Sequence, residues 1–297
     1  MQKLGDRMKE YEGEFEQRIP PYNSFIVRLD GKNFSKFTKG FRKPFDEIFV
    51  KAMVKTMNDM VNKWNATTGY CHSDEITLIF PNACTKEEFE SGGIDRIHSY
   101  GGRVMKNLTV MAGYCSVRFV FNLLNLLHDE IDADGSHPFY KESTVNKITN
   151  CDYCFDARVL SFPPDKLNEL VNHQIWRSVY DCERNAISTF GQYHFGHKRM
   201  HKKHSDETKA MLKDEVNVNW ETDVPVYLKH GVYAKRELYT ITAQDREGND
   251  VEAIRQSIVN KCFKIHFSPE FLDLMVRKNW PENVSDHVGT DVTDYLV

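Results

Sequence analysis

The apolar positions of this chain change rhythm several times, and each change predicts an element. Residues 4–15 read as a charged helix, which Ile19-Pro20-Pro21 stops. The run Phe25-Ile26-Val27, continuing to Leu29, predicts the first core strand. Beyond the Lys43-Pro44 break, Asp46 is placed to cap a helix whose apolar positions Phe49, Met53, Met57, Met60 and Trp64 make one core-facing stripe. Residues 69–80 then give two short apolar segments around a tight turn at Ser73-Asp74, a hairpin. Strand, helix, hairpin is the opening half of a ferredoxin-like α+β unit. Residues 97–127 predict a long helix with apolar Val104, Leu108, Met111, Cys115 and Phe119. Residues 128–150, polar and glycine-bearing, predict a surface loop or insertion and the clearest seam in the chain. Residues 155–162 predict another strand, ended by Pro163-Pro164. Asp165 then caps a helix with apolar Leu167, Val171, Ile175, Val179, Cys182, Ala186 and Phe190. Residues 194–204 read as a flexible cationic loop, with Ser205-Asp206-Glu207 capping the next helix. Residues 226–242 predict β structure, followed by a turn at 246–250 and a mixed segment to 267; residues 271–297 carry no signal.

The chemistry concentrates at two of these places. Asp30-Gly31 ends the first strand, and Asp74 and Glu75 stand at the hairpin. An isolated Asp-Gly is most often a turn, but a strand-end aspartate and a hairpin-tip aspartate can converge on Mg²⁺ and leave positions open for phosphates. That is the two-metal arrangement of a polymerase palm. Arg103 and Lys106, three apart on one helix face, are either a solvated pair or a phosphate clamp. Arg177, Asp181 and Asn185 recur at four-residue steps, which fits salt bridging along an exposed helix or a substrate-facing stripe. Spacing argues against two metal motifs. The acids Asp129, Glu130, Asp132 and Asp134 lack the later bidentate glutamate of an EF-hand, and Cys151-Asp152-Tyr153-Cys154 has no second ligand pair for zinc. The stretch 194–204 holds four histidines, but interleaved Lys198, Arg199, Lys202 and Lys203 make a phosphate backbone its natural partner.

Arg28-Leu29-Asp30-Gly31, Phe34, Lys43-Pro44-Phe45-Asp46 and Ser73-Asp74-Glu75 together resemble the signature of the tRNA-histidine guanylyltransferase superfamily, which extends RNA in the 3′-to-5′ direction. The resemblance continues through Phe155-Asp156-Ala157-Arg158-Val159, Trp176-Arg177 with Asp181, and Pro225-Val226-Tyr227-Leu228-Lys229-His230-Gly231. It implies an α+β fold: a polymerase-palm (ferredoxin-like) antiparallel sheet with packed helices, plus a helical and β C-terminal region. The division expected is a palm-like catalytic core over residues 1–160 and a part over 161–297 that completes the core and binds RNA, the two possibly one continuous domain. Asp30, Asp74 and Glu75 are the implied catalytic residues. Asp30, Asp74 and the Gly31 carbonyl would bind two Mg²⁺ ions, with Glu75 as an outer ligand or hydrogen-bond anchor. Lys32, Asn33, Phe34, Ser35, Lys43, Asp46, Ser73, Arg103, Lys106 and Asn185 are the implied nucleotide contacts. Arg184, Lys198, Arg199, Lys202 and Lys203 are the implied RNA contacts.

The implied reaction activates an RNA 5′-monophosphate with ATP, after which the 3′-hydroxyl of GTP or another nucleoside triphosphate attacks it. The implied partners are tRNA and nucleoside triphosphates, and the implied assembly is a homotetramer. Where guanylyltransferases proper carry a His-Ile-Asn-Asn-Leu-Tyr-Asn run, this chain has Glu183-Arg184-Asn185-Ala186-Ile187-Ser188-Thr189. That departure resembles the guanylyltransferase-like branch, whose implied task is templated repair of truncated tRNA 5′ ends. The alternatives are a single-guanine tRNA-histidine guanylyltransferase, a palm-type nucleotide cyclase and a non-catalytic RNA binder. The later basic stretch argues against the cyclase, and retention of both aspartates argues against the binder.

Composition modifies this picture in three respects. Net charge is −4 over 297 residues and the pI is about 6.3, so RNA would have to meet local basic surface. Seven cysteines, an odd number, fit reduced thiols and a cytoplasmic location, with an organellar one left open; the mixed charge of residues 1–17 is unlike a secretory or transit leader. Mean hydropathy is −0.55, and no uninterrupted apolar run approaches the roughly 20 residues that span a bilayer, so no membrane is expected.

Overall fold

Strand β1, Ser24–Lys32, is buried on both sides along its first half. Phe25, Val27 and Leu29 join one apolar cluster and Ile26 joins the other, so helices cover both faces of the sheet it belongs to. The computed structural model describes residues 2–92, 96–131, 139–150, 153–281 and 290–296. The remaining strands are β2 (Thr68–His72), β3 (Glu75–Phe80), β4 (Cys154–Phe162), β5 (Val232–Gln244), β6 (Asp250–Cys262) and β7 (Thr290–Asp291). They form one antiparallel sheet in the order β4-β1-β3-β2-β5-β6-β7. The fold is α+β, and its first four strands have the palm-type order. β5, β6 and β7 extend that same sheet.

Helix α1 is Leu4–Gly13 and α2 the single turn Phe34–Phe37. Asp46 caps α3 (Glu47–Trp64) by accepting from the Phe49 N–H at 3.1 Å, and the expected stripe of Phe49, Met53, Met57, Met60 and Trp64 is buried. After α4 (Lys86–Glu90), helix α5 runs Val104–His128 rather than from residue 97. Tyr100, Gly101 and Gly102 have positive φ, which holds the chain in a 3₁₀ turn before α5 can start. By length and composition α5 could cross a membrane, despite the expectation of no such segment. Here Met111, Cys115, Phe119 and Leu123 are buried against the sheet and α3, while Arg118 and Asn122 bond Asp59 of α3 at 2.8 and 2.9 Å.

The stretch expected as a loop contains α6 (Glu142–Thr149), anchored by buried Thr144 and Ile148. Asp132, Asp134 and Cys151 lie outside the described residues. On the other face, α7 (Asn168–Ile175) continues through a π-helical segment, Trp176–Cys182, into α8 (Glu183–Met200). Helices α9 (Ser205–Val216) and α10 (Trp220–Asp223) follow. Residues 226–230 are not strand but α11 (Val226–His230). A Cβ on Gly231, whose φ is 76°, would lie 2.5 Å from the Tyr70 ring, so the chain turns there before β5 begins. The silent C-terminal stretch holds α12 (Pro269–Val276) and a last turn, α13 (Thr293–Leu296).

Two neighbouring cations on β5 tie the C-terminal ends of helices to the sheet. Lys235 is fully buried, and its Nζ donates to the carbonyls of Thr67 (3.0 Å), Leu274 (2.8 Å) and Arg277 and to Thr68 Oγ1 (2.7 Å), closing the end of α12. Arg236 donates to the carbonyls of Val61 and Ala66 at 2.9 and 2.8 Å, closing the end of α3. Replacing Lys235 with Met would leave these buried carbonyls without a donor, each worth about 1–3 kcal/mol. The expected result is a loss of at least about 2 kcal/mol, read from the urea midpoint at unchanged m-value.

Candidate active site

Two carboxylates meet where β1 ends and the β2–β3 hairpin turns. Asp30 lies opposite Glu75 on β3 and Asp156 on β4, so three acids form one row across the sheet. Ser73, at φ 48°, makes the turn, and the Gly31 N–H donates to the Asp74 carbonyl at 3.0 Å, fixing the hairpin tip to the strand end. Glycine is needed at 31 because a Cβ there would sit 1.9 Å from the Phe34 ring. Burial raises the Asp30 pKa, and Glu75 and Asp156 raise it further against the pull of Arg28. Burial and the charge of Asp30 raise Asp74 in the same way. Two half-buried acids whose charge is destabilised by burial and by neighbouring carboxylates, with oxygen donors only, fit a hard divalent cation, and Asp30, Asp74 and the Gly31 carbonyl would hold it. Among the described residues no three His, Cys, Asp or Glu side chains form a closed metal cage. Such a site leaves positions for water and phosphate oxygens.

Behind this row lies a buried charged seam. The Arg177 Nε donates to Glu75 Oε1 at 2.7 Å, its Nη2 donates to Oε2, and Nη2 also stands 2.9 Å from Asp181 Oδ2. Burial works against the Arg177 charge, but Glu75 and Asp181 outweigh it and its pKa rises. His72 and Arg177 hold the Asp181 carboxyl down to about 2; His72 Nε2 is 3.9 Å away, so it acts by its field and not by a hydrogen bond. The expected exposed or substrate-facing stripe of Arg177 and Asp181 is thus an inward seam. Glu75 has both oxygens bonded by Arg177, which fits the hydrogen-bond anchor among its two expected roles. The π turn contains both Arg177 and Asp181.

In front of the row is a cavity of about 300 Å³ lined by Phe34, Ser35, Lys43, Asp46, Ser73, Asp74 and Thr189. An adjoining chamber of about 90 Å³ shares Asp46, Ser73 and Thr189 and reaches His72, Asn185 and Tyr227. Segment 34–46, the hairpin tip and α8 therefore enclose one cleft beside the carboxylates.

Residues 5–163 match the family model described as "Thg1: tRNAHis guanylyltransferase". The chain is 36% identical over 262 residues, 88% of its length, to an uncharacterized protein of Acanthamoeba polyphaga mimivirus, and covers 83% of that relative. It is 25% identical over 290 residues to the tRNA(His) guanylyltransferase of Debaryomyces hansenii, covering 92% of this chain and 96% of that one. A bacterial tRNA(His) guanylyltransferase (Thg1)-like protein solved in complex with ATP superposes with a TM-score of 0.62 at 26% identity, over 86% of this chain and 91% of that one. The Saccharomyces cerevisiae tRNA(His) guanylyltransferase has the same fold, with a TM-score of 0.56 at 20% identity over 78% and 92%. The chain belongs to the tRNA(His) guanylyltransferase family, a family of nucleotidyltransferases.

In this Thg1-family chain the cleft collects most of the expected nucleotide residues, though not all as ligands. Lys32 ends β1 opposite Cys154, and Asn33, at φ 64°, opens α2, whose first amides have no intrahelical acceptor. The Phe34 ring is buried among Phe37, Phe49, Phe119 and Phe155, so it is core with one edge at the cavity. Asp46 is committed to structure: it caps α3 and accepts from the Arg42 N–H at 2.8 Å and the Tyr140 hydroxyl. Arg103 and Lys106 do not reach this cleft. They stand at the start of α5, where Val104 N bonds Gln17 O at 2.8 Å, beside the beginning of β1. Six strand residues, about 20 Å, separate that end from Asp30. Arg103 instead contacts Glu16 at 3.8 Å, and Lys106 lies over the Tyr100 ring.

The expected cationic loop is the end of α8, kinked at Gly196. Arg199 pairs with Glu215 and Lys203 with Glu207, at 2.6 and 2.9 Å. Lys203 shares a polar groove of about 240 Å³ with Arg184, Asn185 and Ser188, while Lys198 and Lys202 are exposed nearby. Thr189, His72, Tyr227 and Arg28 were not picked out as site residues by sequence reasoning. Arg28 shares a strand face with Asp30 two residues away, and Tyr227 and Thr189 fall within the stretches compared with the family.

Two outcomes test this geometry. Arg177→Ala should cost about 3–5 kcal/mol in chemical denaturation by leaving Glu75 buried and unpaired, whereas the pair Glu75→Gln with Arg177→Met should recover most of it. A raised carboxylate pKa means stability is fully present below the unfolded value of 3.8 and is lost as pH rises through the folded pKa. Asp30→Asn removes that loss. Without divalent cations the variant should melt above wild type at pH 7, with the difference vanishing below about pH 4.

Proposed function

We propose that this protein adds nucleotides in the 3′-to-5′ direction to the 5′ ends of tRNA, using the opposite strand as template. The observation that carries the reading is the convergence of Asp30 and Asp74, both with raised pKa, beside a cleft that holds Lys43. Mg²⁺ ions, two in the proposed site, would lower the pKa of the attacking 3′-hydroxyl and offset charge on the leaving group. Lys43 and the first amides of α2 would take triphosphate oxygens, and Ser73 and Asn185 border the space left for the nucleoside. ATP is the proposed activator of the 5′ phosphate, a role supported by the ATP complex of the bacterial neighbour. Arg184 and Lys203, on one groove with Lys198 and Lys202 nearby, suit the phosphate backbone of the RNA.

The choice of templated repair rests on the Glu183-Arg184-Asn185 departure. Glu183 accepts from Lys209 Nζ at 2.8 Å and Trp220 Nε1 at 3.1 Å, so it joins α8 to α9 and α10 and is not free to read a base. Base pairing with the opposite strand would then choose the nucleotide, since a mispair misplaces the 3′-hydroxyl. The second reading, a single guanine added to tRNA(His), is favoured by what the Debaryomyces relative is called. A homotetramer is the proposed assembly, supported by α1, which buries no residue and exposes Leu4, Met8 and Tyr11.

The test uses tRNAs of several identities, each lacking its first 5′ nucleotide, with ATP, labelled nucleotides and all four opposing bases. Addition should follow the opposing base across identities. Asp30→Ala or Asp74→Ala should lower it by roughly 10²–10³-fold or more while the fold persists. Guanine alone, added only to tRNA(His), would establish the second reading, and cyclic nucleotide formed without RNA would establish a cyclase.

A further inference from the structure

Arg28 stands between two carboxylates and is committed to neither. Its Nη2 is 3.4 Å from Asp30 Oδ2, and its Nε is 3.4 Å from Glu75 Oε2. Charged hydrogen bonds of this kind close to about 2.7–2.9 Å, so both contacts are loose. The side chain is only 11% exposed, and its Nε has no hydrogen-bond partner among the described residues. Glu75 does not need it, because Arg177 already takes both carboxylate oxygens. Across the row of Asp156, Asp30 and Glu75, the other nearby cation, Arg158, is 63% exposed and faces Asp156 at 3.8 Å. Arg28 is thus the buried cation that faces the Asp30 carboxylate.

We infer that Arg28 is the resident counter-ion of Asp30 and moves from Asp30 toward Glu75 as Mg²⁺ arrives, so that Mg²⁺ loads tightly only together with a nucleoside triphosphate. This rests on the reading of Asp30 as a metal ligand. A guanidinium and a divalent cation repel each other and compete for one carboxylate. The negative charge of a triphosphate offsets that repulsion, and the 3.4 Å gap to Glu75 gives Arg28 a second anion to close on. The charge that keeps the metal-free row from repelling itself also makes the site wait for its substrate. Arg28 is a positioning residue in this scheme, because it acts through Asp30 and touches no reacting atom.

The experiment is calorimetric titration of Mg²⁺ into the protein, with and without a non-hydrolysable ATP analogue, so that no turnover enters the readout. Arg28→Gln should bind Mg²⁺ alone roughly tenfold more tightly than wild type, and the tightening by the analogue should shrink by about the same factor. Arg28→Lys, which keeps the charge, should stay near wild type. Arg28→Met fills the same buried volume and decides the matter if the glutamine variant does not fold. Mg²⁺ affinity that is equal or weaker in the folded neutral variant overturns the inference. Asp30→Asn that binds Mg²⁺ as wild type does would instead remove the metal reading beneath it, and the two failures are separable.

Discussion

Glu75 is a carboxylate almost entirely withdrawn from water, and Arg177 bonds both of its oxygens there. The pair joins the strand β3, one residue after the hairpin-tip Asp74, to the π turn on the opposite layer. Breaking such a pair leaves an uncompensated buried ion, so neither element can move far without the other. Everything at the site is positioned from this contact. β3 sets the register that places Asp30 opposite Glu75, and the π turn sets where α8 brings Asn185 and Thr189 to the cleft.

The same contact explains the unequal fates of the acids. Glu75 is satisfied and structural. Asp181, beside the same arginine, is held well down in pKa and braces Arg184 and Asn185. Asp30 and Asp74 receive no such bidentate partner, and Arg28 stands a loose 3.4 Å from Asp30. Burial raises both pKa values, Glu75 and Asp156 add to that of Asp30 and Asp30 adds to that of Asp74, which costs stability and leaves two acids whose charge a divalent cation would relieve. The two acids poor in partners are those fit for chemistry, and the two rich in partners hold them in place.

The hydrophobic rhythm alone determined the first half of the sheet, the capped helix α3 and strand β4. Each was legible because its apolar positions face a single core or are buried on both sides. Asp30-Gly31 and Ser73-Asp74 were legible as a converging pair because a strand end and the tip of the next hairpin have few ways to lie in one sheet. The C-terminal helix α12 was silent, since it is only eight residues long and its partner groups, Lys235, Thr67 and Thr68, are far away in sequence.

Only the tertiary structure decided which charges are available. Phe34 is implied as a nucleotide contact by the resemblance, yet aromatic packing absorbs its ring. Arg103 and Lys106 read well as a phosphate clamp, but a helix that follows β3 runs back along the sheet, and its first turn lies at the opposite end from Asp30. Arg177 and Asp181 have the spacing of an exposed ion pair, and the inward face of a π turn makes them a buried one. Spacing along the chain fixes which residues can share a face. Which face meets water, and which meets another charge, depends on elements that arrive from elsewhere in the chain.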